Sequence, residues 1–465
     1  VDYDVLILGG GIVGCAAAYE LSKYSLNIAL IEKNYDVADD VALINSTIVY
    51  DGCESNNSLT MKLEQMGNQL LDEVTEKFNV PFSRCGSLYI AANEEEQIRV
   101  EDMYEKALKG GVQNLYLLSG DEARKLEPNL PKEVIKALYS KNAGTICPYD
   151  LALSYAEVAF DNGVNFKLEE EVVDIQRLTR GFRVITNKNK FTCKLVLNTT
   201  PGKNYSIDNN NKEVPEEAQL NLNYFVLDKD FKGDFQHVIF SVKDEDEKIY
   251  TLPTLQGSTI AAISSRKKMN HFETLDKISY LLKELEENDV NNFFQTPYYK
   301  EPIIIDDSFI DIGYIKVTGK HYAQVTMTPA IASIVCETII SNMNCKLKKH
   351  FIDKRREYFK FSDMSDEERK KVIEVDKKYG NIICACHNIT EGEIVDAIRR
   401  PLGARTVEGI KRRTGVTMGA CQGSYCLNKI ISILARETDK SYTDVVKDSK
   451  NSKMVLNRIK EFDGV

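Results

Sequence analysis

No apolar run in the 465 residues approaches the ~18 to 20 that a membrane-spanning helix requires, which excludes an integral membrane protein. Positive charge is in deficit: 60 Lys and Arg stand against 70 Asp and Glu, and a net charge of −10 repels polyanions, so nucleic acid is not an expected partner. Tryptophan is absent, which excludes nothing. No targeting segment is expected, and no internal repeat is seen. The eleven cysteines form no disulfide framework, because they are scattered singly until four bunch between residues 384 and 426. A reducing, cytoplasmic compartment and a single ligand cluster are therefore expected. What is present is the composition of an ordinary soluble protein, 43% hydrophobic and 28% charged, in a chain long enough for two or three domains of ~150 residues.

The opening Asp4-Val-Leu-Ile-Leu8 is a short apolar run closed by glycines and reads as a buried parallel strand. Small and apolar residues at helical spacing predict a helix over residues 12–24, and Asn27-Ile-Ala-Leu-Ile-Glu32 completes a βαβ unit. From about 60 to 350, amphipathic helices such as residues 59–77 mix with strands such as Gly86-Ser-Leu-Tyr-Ile-Ala91, so a second α/β layer is interleaved with the first. Asn209-Asn-Asn-Lys212 and Lys243-Asp-Glu-Asp-Glu-Lys248 read as solvated loops or hairpin tips. Residues 364–380 are densely charged and read as a helical linker. Beyond it, the capping box Thr390-Glu-Gly-Glu393 and an apolar stripe from Leu427 to Leu434 predict a small cysteine-anchored domain.

Gly9-Gly10-Gly11-Ile12-Val13-Gly14 satisfies G-x-G-x-x-G between a strand and a helix. Gly9 permits the tight turn, Gly11 lets the backbone approach a pyrophosphate, and Gly14 lets helix pack on sheet, with the helix N-terminus facing the phosphates. Glu32, 18 residues after Gly14, ends the second strand where an acid accepts hydrogen bonds from an adenosine ribose. These residues leave FAD and NAD both open, although the position at the start of a long chain leans towards FAD. Cys384-Ala-Cys386 and Cys421-Gln-Gly-Ser-Tyr-Cys426 form a C-x-C…C-x4-C pattern with 34 residues between the pairs. Four thiolates hold either a [2Fe-2S] cluster or zinc; neither pair has the C-x-x-C spacing usual for zinc, which favours iron–sulfur. His387 is not needed as a ligand, and the other seven cysteines read as small buried residues. Lys411-Arg-Arg413 reads as a solvated helix face, or else as positive charge that docks an acidic redox partner.

The glycine fingerprint, Ala137-Leu-Tyr-Ser-Lys-Asn-Ala-Gly-Thr-Ile-Cys-Pro-Tyr-Asp-Leu151, Asp161-Asn-Gly-Val164 through Glu171-Val-Val-Asp-Ile175, and Thr328-Pro-Ala-Ile-Ala332 together resemble the D-amino-acid-oxidase-like (DAO) flavoproteins, of the anaerobic glycerol-3-phosphate dehydrogenase type. Residues 383–436, with Gly403-Ala, Lys411-Arg-Arg-Thr414 and Met418-Gly-Ala-Cys-Gln-Gly423, resemble a bacterioferritin-associated-ferredoxin-like (BFD) [2Fe-2S] domain. The resemblance implies an α/β fold in which a Rossmann-like FAD-binding domain is interleaved with an α+β substrate domain (residues 1–363). A charged linker (364–380) and a small helical [2Fe-2S] domain with its tail (381–465) follow. It also implies FAD held by Gly9, Gly11, Gly14 and Glu32, by the Val172 backbone near the adenine, and by Asn45, Ser46, Gly319 and Thr326 along the pyrophosphate, ribityl chain and flavin. Cys384, Cys386, Cys421 and Cys426 would hold the cluster.

The chain departs from the family pattern in several places. Val41-Ala42-Leu43 replaces Thr-Ser-Lys, Tyr50-Asp51-Gly52-Cys53 replaces His-Ala-Gly-Tyr, and Asn198-Thr-Thr-Pro201 replaces Asn-Ala-Ala-Gly. Gly319-Lys-His-Tyr-Ala-Gln324 replaces Gly-Ile-Glu-Ser-Pro-Gly, and residues 298–307 lack the Gly-Leu-Arg that supplies a substrate-anion arginine. Tyr50 and His321 are then the candidates for polar groups over the flavin, His321 as a base titrating near ~6.5, with Lys320 or Arg266 as a substrate-anion partner. The first functional expectation is an FAD-dependent dehydrogenase of a small polyol phosphate, hydroxy acid or amino acid that passes electrons to the cluster and on to redox partner subunits. The second is a flavin and iron–sulfur electron-transfer subunit with a decayed substrate site, and the third a zinc-stabilised scaffold.

Overall fold

A computed structural model describes residues 1–44, 47–208, 220–243, 247–419 and 421–457. The chain begins with β1 (Tyr3–Leu8), α1 (Ile12–Ser22) and β2 (Ile28–Ile31), the expected βαβ unit. β1 is parallel both to β2 and to Lys190–Asn198, and every β2 side chain is buried, as the unbroken apolar run requires. The sheet runs in the order Val172–Arg177, Phe182–Thr186, Lys190–Asn198, β1, β2, Asn165–Lys167, while Tyr314–Thr318 also pairs with Lys190–Asn198. The small residues Cys15, Ala16, Ala17 and Ala18 bury α1 on nearly all sides, against Pro148–Asp161 and Gln324–Met343.

The second sheet is assembled from strands that alternate in sequence with those of the first. Its order is Val290–Tyr298, Leu220–Leu227, Thr259–Ser265, Lys248–Pro253, Val238–Ser241, Ser87–Ala91, Lys136–Ser140, Leu115–Ser119. The interleaved α/β architecture is therefore the one expected. The helix Ser58–Phe78 starts on Asn57, whose side chain accepts from the Leu59 and Thr60 amides, and buries Leu63, Gly67, Leu71 and Phe78 on one face.

Three readings change. Gln324–Met343 is long and apolar enough by composition to cross a membrane, although its polar residues break any continuous apolar run; it is a core helix, 67% buried over its most apolar window. Lys248 does not lie in a solvated loop but opens a strand and pairs with buried Glu54, because its aliphatic stem crosses the apolar sheet face; residues 244–246 and 209–212 lie outside the described residues. Lys411-Arg-Arg413 is not a solvated face, since Arg412 and Arg413 are buried against the first domain.

The charged stretch forms the helix Asp366–Val375, started by a Ser365/Glu368 capping box. After it, the hairpin Ile382–Cys384/Ile389–Thr390 and the helices Glu391–Arg399, Val407–Thr414 and Leu427–Thr438 close over a separate core of Ile394, Ile398, Ile410, Val416, Ile430 and Leu434.

Candidate active site

β1 ends at Leu8, and the chain turns into α1 through Gly9, whose φ of +98° suits only glycine without strain. A Cβ on Gly14 would lie 2.0 Å from the Gly9 carbonyl oxygen, so the first turn of α1 rests directly on the loop. Gly11 caps α1 with no side chain. The anion at this helix N-terminus is the chain's own: the Asp40 carboxylate accepts from the Ile12 amide at 3.1 and 3.2 Å, and burial pushes its pKa up to about 6. A Cβ on Gly11 would meet that carboxylate at 2.7 Å. Glu32 accepts from the Gly10 amide at 2.7 Å and the Asn34 amide at 2.8 Å, and burial holds its carboxyl above the ordinary range. A loop that a Cβ would fill and an acid at the end of β2 fit the close backbone approach and the ribose of FAD, whose diphosphate would take from the Asp40 side chain the Ile12 amide that it caps here. Gly14→Ala is expected to leave purified protein without visible flavin absorbance, since a backbone carbonyl cannot yield to the new methyl; a yellow, stoichiometrically loaded variant would count against this cradle.

Val172 is buried with Leu8 and Ile31, beside the ends of both parallel strands. Gly319, at φ +93°, turns so tightly that a Cβ would meet the Pro302 carbonyl oxygen at 2.1 Å. Thr326 Oγ1 accepts from the Tyr50 amide at 3.1 Å, so two residues 276 apart meet as candidates for the flavin's surroundings. Asn45 and Ser46 lie outside the described residues.

The Tyr50 ring lies 4.8 Å from Tyr322 and 6.3 Å from Phe240, buried so deeply that its phenol is pushed well above the usual range. His321 is a correction to the sequence reading. Burial, helped by the Lys300 charge, lowers it to about 4, and Nδ1 accepts from the Ala323 amide at 3.1 Å. A neutral ring with Nδ1 occupied carries its proton on Nε2, so near neutrality that nitrogen is a donor in kind and not a base. Lys320 donates its amide to Glu301 and places Nζ 4.8 Å from the Tyr299 ring centre, while the Arg266 carbonyl is held by Asn221.

Sequence reasoning missed a buried polar group beside Tyr50. Asp51 accepts from the Ser140 hydroxyl and the Cys53 amide, and Glu54 takes Lys248. Lys248 Nζ lies 5.0 Å from the Phe240 ring. Both oxygens of fully buried Glu64 lack a partner, the Gly52 amide facing them outside hydrogen-bond geometry; burial, with Asp51 and Glu54 near, pushes this carboxyl well above its usual range. The available signal was Glu64's place on the apolar stripe of its helix, between Leu63 and Leu71.

In the C-terminal domain the Cys386 and Cys421 Sγ atoms lie 3.4 Å apart, and the Cys384 and Cys426 thiols form a second contact. Among the described residues no three ligating side chains gather round one point. The two contacts adjoin, since Cys384 acts on Cys386 and Cys421 on Cys426, so the four sulfurs face one site that would hold a sulfide-bridged two-iron core. The Cys386 thiol and the amides of Gly423, Tyr425 and Ser424 hold Cys421 below its ordinary value, the environment a ligating thiolate requires. Gln422 anchors this loop to the second sheet through the Asn291 carbonyl at 2.8 Å.

A dinucleotide cradle beside a second, eight-stranded sheet, with a cysteine-bearing domain docked on it, defines a flavin-dependent oxidoreductase with an iron–sulfur module. Residues 4–338 match the FAD dependent oxidoreductase (DAO) model and residues 382–436 the BFD-like [2Fe-2S] binding domain. The chain belongs to the DAO family of FAD-dependent oxidoreductases, with FAD and a [2Fe-2S] cluster as its cofactors. It is 35% identical to a glycerol 3-phosphate dehydrogenase of Caloramator mitchellensis over 97% of each chain. It is 32% identical to the human mitochondrial L-2-hydroxyglutarate dehydrogenase, over 36% of this chain and 35% of that one. Among solved structures, an FAD-bound L-α-glycerophosphate oxidase from Mycoplasma pneumoniae superposes with a TM-score of 0.66 at 22% identity, covering 77% of this chain and 99% of the other.

Proposed function

We propose that the protein is a cytoplasmic FAD-dependent dehydrogenase that oxidises a small polyol phosphate, hydroxy acid or amino acid, with glycerol 3-phosphate the first candidate, and sends the electrons out through its cluster domain to redox partner subunits. Bound FAD supplies a hydride acceptor and the [2Fe-2S] core a one-electron outlet. Gly9, Gly11, Gly14, Glu32, Val172, Gly319 and Thr326 hold the flavin nucleotide in this reading, and Cys384, Cys386, Cys421 and Cys426 hold the cluster. His321 presents its Nε2 proton to the substrate oxygen or nitrogen, and Tyr50 forms part of the pocket wall. Residues 1–363 act as the flavin and substrate unit and 381–465 as the electron outlet.

The observation that carries the reading is the fixed seat of the cluster domain: Arg413 grips Asp36, Arg412 grips Asp39, and Gln422 ties the cysteine loop to the substrate sheet. A tethered but undocked module would not support directed transfer. The relative at 35% identity spans both domains, which supports glycerol 3-phosphate. Anaerobic addition of glycerol 3-phosphate should bleach the flavin and raise the paramagnetic signal of a reduced [2Fe-2S] cluster. Bleaching without that signal would overturn the outlet, and bleaching only by a hydroxy or amino acid would move the substrate.

One observation favours the second reading, an electron-transfer subunit. The interior beside Tyr50 is filled with rings: Tyr298 and Tyr322 stack at 5.6 Å, and Tyr89 and Phe240 at 4.7 Å. A flavin that no donor bleaches, yet that passes electrons from dithionite to the cluster, would establish it.

A further inference from the structure

A five-residue segment, 36–40, runs between the dinucleotide cradle and the cluster domain, and each of its residues is held. Arg413 clasps the Asp36 carboxylate with two nitrogens, one at 2.7 Å from Oδ1. The Val37 carbonyl accepts from the Tyr149 hydroxyl at 3.1 Å, and Tyr149 in turn accepts from Arg412 at 2.7 Å. Ala38 donates its amide to the Gly10 carbonyl at 2.7 Å. Asp39 takes Arg412 at 2.8 Å, and Asp40 caps α1 through the Ile12 amide. Residues 36, 37 and 39 thus face the helix Val407–Thr414 of the cluster domain, directly or through Tyr149. Residues 38 and 40 face the glycine loop.

We propose that Arg412 and Arg413 are positioning residues for FAD: by holding residues 36–40 from the cluster-domain side, they fix the wall of the phosphate cradle, so that seating of the cluster domain and binding of the flavin strengthen one another. Geometry supports a rigid connection. Arg413 also donates to the Leu402 carbonyl at 2.7 Å and to the Gly409 carbonyl at 2.9 Å, and it and Asp36 are 7% and 8% exposed, so the pair has one arrangement. Such coupling is reciprocal: whatever the helix adds to flavin affinity, the flavin adds to the seating of the helix. The inference concerns cofactor retention and stands whichever substrate the enzyme takes.

The test uses the full chain with its cluster in place. FAD affinity is measured by quenching of flavin fluorescence, and amide hydrogen exchange over residues 407–414 is followed with and without FAD. R413M should weaken FAD at least tenfold, and R413K should recover only part of the loss because an ammonium cannot span both Asp36 oxygens. FAD should slow exchange in the Val407–Thr414 helix of the wild type, and D36N should remove that slowing. R356A, which deletes an exposed pair with Asp161, serves as a control and should bind FAD as the wild type does. Wild-type FAD affinity in R413M, or exchange in the helix that ignores FAD, overturns the proposal. If R413M does not fold, D36N decides by the same affinity measurement, since it leaves Arg413 its bonds to Leu402 and Gly409.

Discussion

Glu157→Ala should destabilise the docked form of the protein by about 3–5 kcal/mol, the range found when one partner of a buried ion pair is removed. Glu157 lies on Pro148–Asp161 and takes Arg355 at 2.7 Å on one oxygen and Arg400 at 3.2 Å on each. Both guanidiniums are under a tenth exposed and Arg355 Nη1 already lacks a partner; without the carboxylate Arg355 keeps Asp150 and Arg400 keeps Asp396 as its acid partner, so two buried cations are left underpaired. Arg400 also binds the carbonyls of Arg356 and Glu357, which ties the cluster domain to the last segment of the first domain. Loss of the acid therefore loosens the seat of the cluster domain on the first. The check is urea unfolding read separately by flavin fluorescence and by cluster absorbance; the cluster-domain transition should move to lower urea, and an unmoved transition would show that the network contributes nothing.

The same carboxylate fixes a pH dependence. Burial pushes Glu157 up, but Arg355 and Arg400 outweigh it and hold the group below its ordinary range. A depressed folded pKa means that the stabilisation is complete above the unfolded value of ~4.3 and is lost as pH falls through the lower, folded value. The wild-type cluster domain should come away in acid, below about pH 4, while Glu157→Gln should lack this contribution at every pH. Parallel acid profiles for the two proteins would assign the acid loss elsewhere.

The contrast between Gly14 and Arg413 shows which features could be read from sequence. The nucleotide fingerprint is contiguous: strand, three glycines, helix and acid lie within 32 residues, and each residue type is imposed by backbone geometry that sequence spacing reports. The cysteine pairs were legible for the same reason, with two short motifs whose spacing excludes the usual zinc pattern. Arg412 and Arg413 share a helix with Ile410, and periodicity places them off its apolar face, but no periodicity states that another domain covers that side. Asp36, the partner of Arg413, lies 377 residues away from it. His321 was misjudged because its protonation follows from burial and from the Lys300 charge, neither of which is a property of the local sequence. Lys248 looked solvated because its neighbours at 243–247 are charged, whereas it is the first residue of a strand leaving that hairpin tip and pairs with Glu54.

Replacing the cluster cysteines one at a time should separate ligation from folding. Cys384 and Cys426 are 2% and 1% exposed within the C-terminal core, beside Ile389, Ile394 and Ile430, whereas Cys386 is exposed and Cys421 is half-buried. All four substitutions to Ala should remove iron, since each iron needs both of its protein sulfurs. Only the inner pair should also cost packing: Cys384→Ala is expected to lose a further ~1 to 2 kcal/mol in the metal-free domain, and Cys421→Ala within about 0.5 kcal/mol of nothing. In the proposed reading the cluster carries the flavin's electrons to an outside acceptor, and Cys386 and Cys421 lie outside the core of the domain. Cys421→Ala should therefore keep its flavin and still bleach with the substrate, while reduction of a one-electron acceptor falls to the rate of direct flavin oxidation. Iron and labile sulfide assays, with stopped-flow flavin absorbance beside acceptor reduction, measure the two halves independently. Wild-type iron content in Cys421→Ala would remove that residue from the ligand set, and unimpaired acceptor reduction in an iron-free variant would show that electrons leave from the flavin itself.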